Sequence, residues 1–563
     1  MKTALFRPKL VTVLGEGYSA SLFRADAIAG LTVAIVALPL AMALGIASGA
    51  SPDKGLVTAV IAGFLISALG GSRVQVGGPT GAFVVVIFNV IAKHGYDGLL
   101  IATLLAGVIL ILAGALRLGQ MIKYIPHPVV TGFTAGIAVI IASSQVKDFL
   151  GLAVDKVPAD FIPKWQVYFG AMSTVSVATV AVGAGSLAII IALRRLAPRL
   201  PGFLIAVVVS AVAVAVLKLP VDTIGSRFPD IPAGLPMPSL PEVSLAKIND
   251  VLPSAFTIAF LAGIEALLSA VVADGMAGTR HRSNQELIGQ GVANLGSALF
   301  GGLPGTGAIA RTATNIRSGA KTPVAGIMHA VFLLLFSLFA TDLMAYVPMA
   351  ALAAILFMVA WGMSEYKRFL ALLRMPNGDR AVLLLTFGLT VLVDLTVAIG
   401  VGVTVASLLF MARMAEAVEV DTSGKIDPDL DSEDMHQRDT LPAGVEVFRI
   451  NGPFFFGVAG ELLDTLRRVG ASPKSIILRM RLVPLLDASG VQALEEFVGQ
   501  ARVSGSKVIL SGVQPQPRSM LERVHLGSAS GKVFYAADYA SAQAMAISLL
   551  DDKYGQGRSV PAV

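Results

Sequence analysis

Val76-Gly77-Gly78-Pro79-Thr80-Gly81-Ala82-Phe83 (VGGPTGAF) has the composition of a turn, yet it lies between two long apolar runs where a membrane helix is expected. Gly305-Thr306-Gly307-Ala308 repeats its Thr-Gly-Ala core in the same kind of setting. Thr306 minus Thr80 is 226, and the same offset pairs Gly81 with Gly307, Ala82 with Ala308, Gly63 with Gly289, Gly70 with Gly296 and Pro39 with Glu265. Seven segments separate equivalent positions, and an odd number of crossings inverts one half against the other. Such paired, interrupted segments point to the binding site of a secondary transporter.

The surrounding chain fits a membrane setting. Of 563 residues, 55% are hydrophobic and 14% charged, against about 25% charged in a soluble domain. Apolar runs long enough to cross about 30 Å of hydrocarbon recur over 28–415. Fourteen segments are expected near 28–47, 55–70, 79–92, 98–116, 124–145, 172–193, 203–218, 251–272, 284–300, 306–318, 323–341, 346–363, 380–396 and 398–415. The rest divides into an N-terminal stretch (1–27), an acidic linker (416–440), a soluble α/β domain (441–552) and a tail (553–563). Residues 1–26 lack the apolar core and cleavage site of a signal peptide. The net charge of +6 comes from basic residues scattered at segment ends, a topological pattern rather than a nucleic-acid surface. By the positive-inside rule it places both termini in the cytoplasm. The polar stretches 148–167 and 220–250 then fall outside, the second as an extended, proline-rich loop. The absence of cysteine excludes disulfides and thiolate metal sites.

In hydrocarbon, unpaired backbone persists only where it lines a cavity or is covered by protein. VGGPT and GGLPGTG each lead into a short helix whose first amides lack partners and whose dipole places about half a positive charge at that end. Inversion brings the two ends together as an anion site; the alternative is that the glycines and prolines only kink crowded helices. Thr80 and Thr306 would cap these helices or offer hydroxyls to a ligand.

Glu265 lies far from either end of its segment, where a carboxylate is costly and marks function. It would bind a proton or help hold Na⁺, or else be a neutral carboxyl bonded to a neighbouring helix. Ser269, one turn on, would complete a cation site or bond its own backbone. Arg311 would meet the anion, counter Glu265, or extend to the cytoplasmic interface. Asp394 reads as a solvated hairpin tip.

Leu38–Leu56 (LPLAMALGIASGASPDKGL), GGSRVQVGGPTGAFVVV, KYIPHPVVTGFTAGIAV and the stretch from Glu265 to Pro323 closely resemble the SulP family of anion transporters. QVKDFLGL and MVAWGMSE lean towards its dicarboxylate branch. The resemblance implies a membrane all-α fold of fourteen segments in a seven-plus-seven inverted repeat. A core of segments 1–4 and 8–11 would move against a gate of segments 5–7 and 12–14 in an elevator-like cycle. It places the substrate site at Leu40, Leu44, Thr80, Gly81, Ala82, Phe83, Thr306, Gly307, Ala308, Ile309, Ala310 and Arg311, with Glu265 and Ser269 in coupling. A Na⁺-coupled bicarbonate branch has aspartate at the Glu265 position and a hydroxyl at the Ile309 position, so this chain leans towards H⁺.

In the C-terminal region VEVFRI, SIILRM and KVILSGV read as strands, and GELLDTLRRV, SGVQALEEFVGQAR and PRSMLERV as helices, a small β/α domain. It resembles the STAS domain that closes SulP proteins. In soluble relatives a serine of the matching loop is phosphorylated, which points to Ser489; alternatively Asp487 or Ser489 simply caps the following helix. The domain would serve homodimerisation, with gate-side helices, and regulation.

These readings converge on secondary active import of a small anion, sulfate or a C4-dicarboxylate, driven by H⁺ across a bacterial inner membrane. Na⁺-coupled bicarbonate symport, a membrane-tethered STAS signalling module and an uncoupled anion channel are the alternatives. No nucleotide-binding loop of the GxxxxGK[ST] type and no histidine cluster of metal spacing occurs, so no enzyme, cofactor or metal is expected.

Overall fold

The computed structural model describes residues 6–120, 126–154, 157–197, 200–230, 232–393, 395–416, 419–421, 442–455, 473–527 and 533–551. These form two compact units, 1–406 and 407–563.

The first unit opens with α1 (Lys9–Glu16), α2 (Ala20–Ala47) and α3 (Pro52–Leu69). The first membrane helix thus begins eight residues before the expected 28. Ser19 starts it by accepting a hydrogen bond from the Leu22 amide. Asp26, expected in a polar tail, is instead fully buried in this helix. Its carboxylate accepts from the amides of Lys321 (2.7 Å) and Thr322 (3.1 Å) and the hydroxyls of Thr322 (2.5 Å) and Tyr18 (3.1 Å). Asp26→Ala leaves these donors unpaired and is expected to cost about 2–4 kcal/mol, read as a lower unfolding temperature of the purified protein in detergent.

After α3 come a two-residue strand β1 (Gly77–Gly78) and α4 (Gly81–Ala115). The expected third and fourth segments are one helical run broken at Gly95, whose φ of 71° interrupts the helix. Next are α5 (His127–Leu150), α6 (Phe161–Gly170), α7 (Val177–Leu196), α8 (Gly202–Leu217) and α9 (Ile224–Arg227). The helix α6, where only a polar segment was expected, is aromatic on one side, with Trp165 meeting Phe161 and Tyr168 edge-on and Phe169 at a tilt. The 220–250 region is mostly non-helical as expected, apart from α9 and the start of α10 (Leu245–Ala277). Then follow α11 (Ser283–Leu299), β2 (Thr306–Gly307), α12 (Ile309–Arg317), α13 (Val324–Phe339), α14 (Thr341–Met344), α15 (Met349–Met363), α16 (Tyr366–Leu372), α17 (Asn377–Leu392) and α18 (Leu395–Glu416). Asp394 lies outside the described residues.

Eight of the described helices are individually long and apolar enough to cross a membrane. All fourteen expected segments have a helical counterpart, with α1, α6, α9, α14 and α16 as short additions. Packing sorts them into two groups. α2, α3 and α4 pack with α10, α11 and α13, whereas α5 packs against α15 and α17, and α7 against α8 and α15. This is a seven-plus-seven arrangement, with core and gate drawn from both halves.

The single offset of 226 does not hold in three dimensions. The helix ends at Ser48 and Gly278, and at Gly70 and Phe300, give 230, and the helix starts at Thr80 and Ala308 give 228. The Thr-Gly-Ala echo is therefore displaced by two residues from the structural match, because Thr306 lies in a strand and Ala308 precedes the helix.

The second unit is a five-stranded sheet of β3 (Glu419–Asp421), β4 (Val445–Asn451), β5 (Ser475–Leu482), β6 (Lys507–Ser511) and β7 (Phe534–Ala536), in that order. β3 runs antiparallel to β4 and the others are parallel. The sheet thus begins inside the expected 416–440 linker, since Glu419 pairs with Asn451. Alternate side chains point to opposite faces. Ile476, Leu478 and Met480 pack under α19 (Ala488–Val503) and α20 (Pro515–Arg523) with Leu494, Phe497 and Leu521. Ile477 and Ile509 pack under α21 (Tyr539–Asp551) with Ala542 and Ala546. Asp487 caps α19 by accepting from the Gly490 amide at 2.7 Å, and Ser489 is half-buried in its first turn. The helix read at 460–469 lies outside the described residues, as does the 553–563 tail.

Candidate functional site

Both helix breaks meet in one place. β1 and β2 pair as an antiparallel ribbon, Gly77 opposite Gly307 and Gly78 opposite Thr306. Each strand runs straight into a helix, α4 or α12, that has no side-chain cap. Gly78 adopts φ 146°, a conformation that favours glycine.

The irregular backbone beside the ribbon is satisfied by polar side chains from neighbouring helices, the condition for surviving at membrane depth. Asn294 of α11 both donates to the Gly305 carbonyl (2.9 Å) and accepts from its amide (3.0 Å). Thr58 of α3 accepts from the Leu303 amide, and Thr312 of α12 from the Val76 amide at 3.1 Å. Asn315 donates to the Val74 carbonyl at 2.9 Å. Buried Glu286 accepts from the amides of Gly71 (2.8 Å) and Ser72 (3.0 Å) and from Gln290 (2.7 Å). None of these residues stood out in the sequence. The only signal for them was the unusually polar run Ser283-Asn284-Gln285-Glu286 with Gln290 and Asn294 in a membrane helix. Asn294→Leu is expected to cost about 2–4 kcal/mol by stripping both partners of Gly305, checked by thermal unfolding alongside loss of uptake.

The residues expected at the site divide by exposure. Thr80 and Glu265 are half-buried, while Ile309 and Ala310 are exposed, Ile309 at 43%. Gly81, Ala82, Phe83, Thr306, Gly307, Ala308 and Arg311 are buried. Leu40 and Leu44 are buried and belong, like Ala82 and Phe83, to the large apolar core of this unit.

Neither threonine caps its helix. The Thr80 hydroxyl donates to Glu265 Oε2 at 2.7 Å, tying α4 to α10. The Thr306 hydroxyl donates to the Ala262 carbonyl at 2.9 Å, so it faces α10 rather than a ligand. Ser269 does not bond its own backbone but meets the Thr312 hydroxyl at 3.3 Å. Glu265 is thus hydrogen-bonded to a neighbouring helix, at a half-buried position that keeps it within reach of the site.

Arg311 does not extend to an interface. It is 4% exposed, and it donates through Nη2 to the Pro79 carbonyl (2.9 Å) and through Nη1 to Gly77 (3.5 Å). It makes no ion pair with Glu265 or with any other carboxylate among the described residues. A guanidinium from α12 therefore holds the strand that feeds α4, and its positive charge adds to those of two uncapped helix ends.

The gate also contributes to this place, through residues the sequence did not flag. A Cβ at Gly81 would stand 2.7 Å from Met363 Sδ, 3.4 Å from Ile141 Cδ1 and 3.5 Å from Val359 Cγ1. Side chains of α5 and α15 thus close over the start of α4.

Residues 23–386 match the model of the sulfate permease family, and 439–538 that of the STAS domain. The chain belongs to the sulfate permease family. This SulP chain is 41% identical to YvdB, a candidate sulfate transporter of Bacillus subtilis, over 92% of its own length and 96% of that protein's. It is 34% identical to the bicarbonate transporter BicA of Picosynechococcus, over 89% and 91%. The solved transmembrane domain of a cyanobacterial BicA, 32% identical, superposes with a TM-score of 0.61 over 69% of this chain and 98% of that one. Murine Slc26a9, an anion transporter, shares the fold at 18% identity, with a TM-score of 0.85 over 97% and 95%. The family is one of transporters, not enzymes.

Proposed function

We propose that this protein imports a small anion, sulfate or a C4-dicarboxylate, by H⁺ symport across a bacterial inner membrane with both termini in the cytoplasm. The anion binds between the starts of α4 and α12, and the core carries it past the gate. The observation that carries this reading is the ribbon. It sets two uncapped helix N-termini and an unpaired guanidinium around half-buried Thr80 and Glu265. Three sources of positive potential at low dielectric favour an anion, and a carboxyl on the opposing helix can exchange a proton with it. The name of YvdB favours sulfate.

Uptake into liposomes tests the reading. Sulfate, succinate and fumarate are offered with an inward proton gradient, and accumulation that collapses when the gradient is dissipated is expected. Transport that ignores the proton gradient and requires Na⁺ would overturn the coupling. Bicarbonate import is the second reading, favoured by the identity to BicA, and the same vesicles distinguish it by substrate competition.

A further inference from the structure

Around Arg311 and the ribbon lies a group of polar atoms that the ribbon's hydrogen bonds leave unused. Ser67 Oγ, both side-chain heteroatoms of Gln75, Arg311 Nε, Asn315 Oδ1 and both ring nitrogens of His329 are buried without a hydrogen-bond partner among the described residues. Buried polar groups are otherwise satisfied in more than about nine cases in ten. Seven such atoms in one region of one domain therefore point to a common cause.

They are arranged in layers. α3 and α13 run side by side, and two glycines mark where they touch. A Cβ at Gly326 would stand 2.1 Å from Ser67 Oγ and 3.4 Å from the Gln75 carbonyl. One helical turn deeper, a Cβ at Gly63 would stand 3.8 Å from His329 Nδ1 and 3.2 Å from the Gly77 carbonyl. Gly77 is the residue to which Arg311 Nη1 donates. Gln75 Nε2 crowds the α-carbon of Gly307 in the ribbon itself. Ser72, whose hydroxyl is also buried and unpartnered, lies at the end of the core that carries Arg73, Arg282 and Lys321. The inner layer reaches the anion site.

We propose that a file of ordered water bridges these unpartnered atoms, with His329 as its relay, and carries protons between the anion site and the cytosolic end of the core. The proton route is then separate from the anion's route along the core–gate boundary. Polar walls with two to four partners per molecule are what a buried water requires. A neutral imidazole accepts a proton at one ring nitrogen as it gives up the proton held on the other, whereas packing alone would be served by an apolar side chain. The charged groups of the helices around His329 are few. Arg311 faces it from α12. Asp26 of α2 is occupied by Lys321 and Thr322, Glu286 of α11 by Gly71, Ser72 and Gln290, and Glu265 of α10 lies beyond Thr80. This inference rests on the proton-coupled reading of the site.

The test uses the full chain in liposomes with an internal pH dye and two readouts: anion-coupled proton influx, and anion counterflow at equal pH, which needs no net proton movement. His329→Leu is expected to lower proton influx at least about tenfold, with counterflow held within about twofold. Ser67→Ala, which removes one wall without adding volume, lowers influx in the same selective way. His329→Gln, which keeps the water bonded but has no ring nitrogen to pass a proton, lowers influx in the same selective way. Proton influx unchanged in His329→Leu and Ser67→Ala overturns the proposal, as does an equal fall of influx and counterflow in both His329 variants, which would mark a packing role. Native protein that transports anion without any proton influx overturns the coupling reading as well, and is recognised by Glu265→Gln then behaving like the native chain.

Discussion

Glu265→Gln is expected to abolish proton-driven accumulation while leaving anion exchange in place. Glutamine has the shape of glutamate, and its Oε1 still accepts the hydrogen bond that Thr80 now donates at 2.7 Å. The link between α10 and α4 therefore survives, and only the titratable proton is lost. An inward gradient of one pH unit supports up to about tenfold accumulation per coupled proton, or about 1.4 kcal/mol. In the variant the ratio should fall to the value set by the anion gradient alone. Stability provides the control. A carboxylate within a membrane helix costs about 2.5–3.5 kcal/mol on insertion scales, so the amide should unfold at the same or a higher temperature. Gradient-driven uptake persisting at native levels in the variant would remove Glu265 from the coupling mechanism.

What the sequence reveals of this site and what it hides follow from the range of the interactions. The helix breaks at VGGPT and GGLPGTG are legible because hydrocarbon tolerates such glycine and proline clusters only where protein covers the freed backbone or a cavity adjoins it. The exceptional position of Glu265 is legible because a carboxylate at that depth is costly. The register of the repeat is not legible, because Thr-Gly-Ala looks alike whether Thr306 stands in a strand or at a helix start. Only the pairing of Gly78 with Thr306 decides it. The partners that make the breaks tolerable are illegible too. Asn294 serves Gly305, Thr312 serves Val76 and Glu286 serves Gly71 across as many as 236 residues of chain, and no local pattern announces such a bond. Ser19 shows the reverse case. A hydroxyl three residues from the amide it accepts begins the first membrane helix early, and a boundary drawn from hydropathy alone passes over it. Leu40 and Leu44 came from resemblance, and the structure adds only that both are buried in the core.

Arg311→Leu is expected to lower transport at least about a hundredfold, the scale of losing a preorganised charged donor from a low-dielectric site. In the native chain the guanidinium is buried with two backbone carbonyls and, among the described residues, no carboxylate as partners. Carbonyl dipoles offset part of the cost of burying that charge, and an incoming anion offsets more. Leucine removes both the attraction and the clamp on Pro79, so the start of α4 is free to shift. Lysine should recover little, because a single ammonium does not present the planar fork that reaches Gly77 and Pro79 together. Gly78→Ala separates the clamp from the charge. Its Cβ would stand 2.1 Å from Arg311 Nη1 and 3.4 Å from the α-carbon of Ala59, at a φ of 146° that an L-residue resists. The guanidinium remains but is displaced, and uptake should fall by about tenfold or more from misplacement alone. The double variant should be no worse than Arg311→Leu, since both changes act on one contact. Independent losses that multiply in the double variant would show that Gly78 matters for the ribbon's conformation and not for holding Arg311 in place.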